Sequence, residues 1–65
     1  MEKSYYVLAT REDGAWGVHF GDYDRAVVEQ EQADCGLPRS RTRIARTGDS
    51  QASIDAAIAK LNGEG

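Results

Sequence analysis

The dipeptide Asp13-Gly14 constrains this chain more than any other feature. On either side of it lies a run with strand character. Ser4 to Arg11 is rich in Tyr, Val and Leu, and Ala15 to Phe20 alternates Trp16, Val18 and Phe20 with Gly17 and His19. A two-residue loop between antiparallel strands adopts a type I′ turn, in which both central residues need positive φ, and Asp-Gly meets that need. The chain is therefore expected to open with a β-hairpin. With that loop, Glu12 pairs Ala15, Thr10 pairs Gly17, Leu8 pairs His19 and Val7 pairs Phe20. Opposed residues share a face. One face then carries Tyr5, Val7, Ala9, Trp16, Val18 and Phe20 and reads as the core side. The other carries Tyr6, Leu8, Thr10, Gly17 and His19.

Beyond Gly21 the spacing predicts a helix. Asp24 is a good N-cap, and Tyr23 before it is placed to staple onto Val28. The helix is expected to run to about Asp34 and stop at Gly36, with Pro38 beyond. Its apolar stripe, Val27, Val28 and Cys35, is thin, and the rest of its surface is acidic and wet. Arg41 to Thr47 reads as a short, charged edge strand with Ile44 as its one large apolar residue. Gly48-Asp49-Ser50 then caps a second helix, whose Ile54, Ala57, Ile58 and Leu61 form an i, i+3, i+4, i+7 stripe that ends at Asn62-Gly63. The order is ββαβα. A helix between the second and third strands makes those strands parallel, so the third pairs antiparallel with the first. The expectation is an α+β fold with a mainly antiparallel sheet of order 2-1-3 and both helices on the Val7/Val18/Phe20 face. The reverse face, Tyr6, Leu8 and His19, is left open for a partner.

Sixty-five residues make one domain, 1–65. Such a chain buries only ~60% of the surface it exposes when unfolded. Cys35 is the sole cysteine, so no internal disulfide forms, and no Cys/His cluster offers a zinc site. A monomer or a homodimer is expected, with no cofactor and no metal. Met1 to Tyr6 is charged and lacks the apolar stretch of a signal peptide. No apolar run reaches the ~20 residues that span a bilayer. A lone thiol without a secretion signal fits a cytoplasmic location.

The net charge of −3 hides a strong segregation. Residues 12–34 carry −6 and residues 35–47 carry +4, between an N-terminal segment of +1 and a C-terminal one of −2. No catalytic constellation emerges. His19 with Asp22 lacks a nucleophile, because Cys35 sits among acids that raise a thiol pKa. Asp22, Asp24, Glu29 and Glu31 lack the spacing of three or four that lets helical carboxylates share a metal. The arginines at 39, 41, 43 and 46 could grip phosphate. Their segment has no aromatic residue to stack on bases, and pairing with the acidic helix of the same chain accounts for them slightly better, because the whole molecule is acidic. Direct nucleic-acid binding is therefore disfavoured. The acidic set Asp22, Asp24, Glu29, Glu31 and Asp34 instead suits a protein partner, above all a basic subunit that normally binds nucleic acid.

Two resemblances bear on this. WGVHFGDYDRAVVEQEQAD, residues 16–34, resembles small proteins of phages and mobile elements with an FGDYDR-type turn before an acidic helix. Their size and acidity are similar to those of anti-CRISPR proteins, which bind a surveillance-complex subunit and block DNA. EDGAWGVHFGD, residues 12–22, and TGDSQASIDAAIAKL, residues 47–61, are similar to the hairpin and the capped helix of HicB-type antitoxins, with the 24–35 helix inserted between the two pieces. Both resemblances imply an inhibitor of a nucleic-acid enzyme.

Overall fold

The computed structural model describes residues 3–64; Met1, Glu2 and Gly65 lie outside the described residues, and with them the ends of the N-terminal and C-terminal readings above. The elements run β1 (Ser4–Glu12), β2 (Ala15–Asp22), α1 (Arg25–Asp34), a 3₁₀ turn (Arg39–Arg41), β3 (Thr42–Gly48) and α2 (Gln51–Glu64). Both pairings of β1 are antiparallel and the strand order is β2-β1-β3, an α+β fold as the sequence predicts. β3 starts one residue later than expected because Arg39–Arg41 takes a 3₁₀ turn. α2 runs past Asn62 through Gly63 and Glu64. No helix of the described residues is long and apolar enough to cross a membrane.

The β1–β2 turn is built as Asp-Gly requires, with φ of 53° at Asp13 and 81° at Gly14. A Cβ at Gly14 would meet nothing within 4 Å, so a side chain there is opposed by backbone strain alone. Gly14→Val is expected to lose at least ~1–2 kcal/mol. For a domain of this size that is a fall in melting temperature of roughly 5–15 °C. Gly17, equally open but without positive φ, is the control. Gly17→Val should leave the melting temperature within a few degrees, and equal losses at both positions would refute the turn assignment.

From the turn the register holds through Ala9↔Val18 and then shifts. Leu8 pairs Phe20, not His19, and Val7 pairs Gly21, not Phe20. His19 is the extra residue of a β-bulge. The bulge moves Phe20 off the Val7 face and onto the Leu8 face.

Four consecutive residues of β1, Val7, Leu8, Ala9 and Thr10, are buried. Successive strand residues point to opposite sides, so both faces of the central strand are covered. α1 covers the Leu8 side: its inward Val28 is fully buried, and Gln32 Nε2 donates to Thr42 Oγ1 at 3.0 Å, beside Thr10 on that face. α2, which touches β2 and β3, closes the Val7/Ala9 side with its half-buried Ile54, Ala57, Ile58 and Leu61. The expectation of two helices on one face is thus corrected to one helix on each. The dimensions of 34 × 26 × 13 Å fit this stack. Three strands are only ~10 Å wide between outer axes, and packed layers lie ~10 Å apart.

The caps follow the sequence. Asp24 Oδ1 accepts from the Ala26 N–H at 2.9 Å, and Ser50 Oγ accepts from the Ser53 N–H at 3.2 Å. Gly36 takes φ of 77° just past α1. Tyr23, the residue expected to staple onto Val28, lies just before the Asp24 cap. Its ring meets Tyr5 edge to face, with ring centroids 4.9 Å apart.

Candidate functional site

The five acidic candidates gather on α1 and its approach turn, and each has a local partner. Asp22 Oδ1 accepts from the Asp24 N–H at 2.8 Å, which shapes the turn that Asp24 then caps. Glu29 pairs with Arg25 at 3.8 Å, Asp34 accepts from Gln30 at 3.1 Å, and Glu31 lies 3.4 Å from His19 Nε2. His19 therefore faces Glu31 and not Asp22. Glu29 and Asp34 remain exposed.

The open face expected at Tyr6, Leu8 and His19 is corrected. Leu8 has no solvent exposure, Tyr6 is half-buried, and of the three only His19 stays exposed. α1 occupies that side, and Phe20 joins Leu8 there through the bulge.

The arginines do not pair with the acidic helix. Among the described residues, the ion pairs are His19–Glu31 and Arg25–Glu29, and neither involves Arg39, Arg41, Arg43 or Arg46. Arg46 donates to Ser4 Oγ, from Nη2 at 2.9 Å and Nε at 3.2 Å, on the α1 side of the sheet. Arg41 Nε donates to the Arg11 carbonyl at 3.1 Å. Arg43 sits over the Trp16 ring, with Cζ 5.6 Å from its centroid.

That last contact spans the sheet. Trp16 opposes Arg11, and Ala9 stands between Val18 and Arg43, so Arg11, Trp16 and Arg43 share the face opposite α1. Sequence reasoning missed Arg11 and Trp16 as members of the arginine group, because the aromatic comes from another strand. The signal lay in combining the 2-1-3 order with the hairpin register. Trp16 is also fixed at its backbone: Asn62 of α2 accepts from its N–H at 2.7 Å and donates to its carbonyl at 3.2 Å, which closes part of the β2 edge.

At the other end of the sheet Tyr23 Oη lies 3.2 Å from Asp49 Oδ2, which ties the approach to α1 to the approach to α2. Donation to Asp49 raises the Tyr23 phenol above its ordinary value near 10, helped by lost solvation and by the charge of Asp49. A raised phenol keeps this tie intact below the unfolded value and loses it only as pH climbs beyond 10. Among the described residues no group of three or more His, Cys, Asp or Glu is placed to hold a metal ion.

Comparison of the chain with family models, with curated proteins and with solved structures returns no match.

Proposed function

We propose that this chain is a non-enzymatic inhibitor that uses the acidic face of α1 to occupy the basic, nucleic-acid-binding surface of a protein subunit in the cytoplasm, in the manner of anti-CRISPR proteins. The observation that carries this reading is charge separation across the sheet. Among the described residues, Asp22, Asp24, Glu29, Glu31 and Asp34 form ion pairs only with Arg25 and His19, and Arg46, on the same side, is held by Ser4 instead. Arg11 and Arg43 belong to the opposite side. The negative charge of α1 and its approach turn thus outweighs the cations on its side, and such a field speeds encounter with a basic partner and selects for it.

The test is rescue of a targeted phage in hosts that carry active CRISPR interference of different types. The wild-type chain is expected to restore plating in one of them. Glu29→Lys and Asp34→Lys lie on exposed positions and should leave the melting temperature nearly unchanged. Asp24→Asn keeps the cap and removes only charge. Where the replaced charge is paired and desolvated in the complex, each change should weaken binding by ~2–5 kcal/mol. Absence of rescue in every host overturns the reading, as does full rescue by the combined charge-reversed variant.

A further inference from the structure

We propose that the face opposite α1 carries a second binding surface, made of Arg11, Arg41, Arg43 and Trp16, whose ligand is single-stranded nucleic acid. Arg43 sits over the partly exposed Trp16 indole, Arg11 opposes Trp16 on the same face, and Arg41 is tied to the Arg11 carbonyl. None of the three is in an ion pair with a carboxylate among the described residues. Arginine clusters of this kind meet phosphates, and an indole with a guanidinium plane beside it offers unpaired bases two flat surfaces to stack on.

The acidity of the whole chain does not oppose this. Screening confines each charge to roughly 10 Å at 0.1 M salt, and the α1 carboxylates lie across the sheet from the patch. The hairpin acid nearest the patch in sequence, Glu12, pairs Ala15 and alternates to the α1 side of β1. A single strand is favoured over a duplex because the stacking surfaces serve only bases free of a partner. The earlier objection, that the arginine segment lacks an aromatic, falls once Trp16 reaches Arg43 across β1.

Trp16 is the only tryptophan, so its emission reports on the patch without a label. Titration with short oligothymidylate and oligouridylate at low salt should quench it, with dissociation constants on the order of 10⁻⁴ to 10⁻⁶ M. Neutralising three phosphates on a single strand gives a log–log salt slope of about −2, which is roughly a 20-fold loss between about 50 and 200 mM salt. The double change Arg11→Glu, Arg43→Glu should weaken binding at least ~10-fold, each contact being lost and reversed. Arg46→Glu, on the α1 side, should leave it nearly unchanged, and circular dichroism confirms that each variant is folded. The proposal is overturned if neither quenches at low salt, if a duplex or polyglutamate quenches as well, or if Arg46→Glu weakens binding as much as the double change. No inhibited partner enters this titration, so its outcome is independent of phage rescue.

Discussion

Leu8→Ala is expected to leave the domain largely unfolded at room temperature. Leu8 is the largest side chain with no solvent exposure. It lies between Phe20 and Ile44 in the register, on the side that α1 covers with Val28. Truncating a buried leucine removes its transfer free energy and leaves a cavity, together ~2–5 kcal/mol. A core in a chain this short supplies only ~3–5 kcal/mol net, so the loss consumes most of the stability. Urea denaturation followed by circular dichroism measures it. The same substitution on an open face would change stability by no more than about 0.5 kcal/mol. An unchanged midpoint would therefore restore the open-face reading and remove α1 from that side. Tyr6→Ala, at a half-buried site, should cost less than Leu8→Ala.

This contrast marks where the sequence was legible and where it was not. The hairpin could be read because Asp13-Gly14 has one low-strain conformation, and the register followed from it as far as Ala9 and Val18. The bulge could not be read. Trp16, Val18 and Phe20 keep a period of two through His19, so the pattern itself carries no mark of the extra residue. One inserted position was enough to move Phe20 to the opposite face. The covering of both faces did leave a trace. Tyr5 to Ala9 is an unbroken apolar run, the signature of a strand buried on both sides, whereas an alternating strand is half-buried.

The charge layout divides in the same way. That the chain is split into an acidic and a basic block is evident from the residue order alone. Whether the blocks neutralise each other depends on which faces they occupy. The crossover from β2 through α1 to β3 carries the acids over one side of the sheet, and strand alternation turns Arg43 to the other. Arg46, three residues on, falls back on the α1 side and is bound by Ser4. Side-chain parity along β3 thus decides which arginines can act together, and parity rests on a register that a single bulge can change.

Gly21→Ala should be the most damaging of the small substitutions, although no turn requires glycine there and its φ is not positive. Gly21 opposes Val7 in the sheet, and the ring of Tyr5 lies across it. A Cβ at Gly21 would stand 2.6 Å from Tyr5 Oη and 2.7 Å from its Cε2, inside any tolerable contact. The ring must move, and it is not free to do so without loss, because it also packs edge to face against Tyr23. Overpacking of this kind costs ~1–3 kcal/mol. That corresponds to a fall in melting temperature of roughly 5–20 °C. The cause can be isolated with a double-mutant cycle. In a Tyr5→Ala background the collision is gone, so adding Gly21→Ala should then cost almost nothing, and could gain a few tenths of a kcal/mol by restricting the unfolded chain. A large coupling between the two positions places the requirement for glycine in the tyrosine that covers it. Equal losses in both backgrounds would mean that the backbone of β2 itself demands glycine, and the Tyr5–Tyr23 packing would have no part in it.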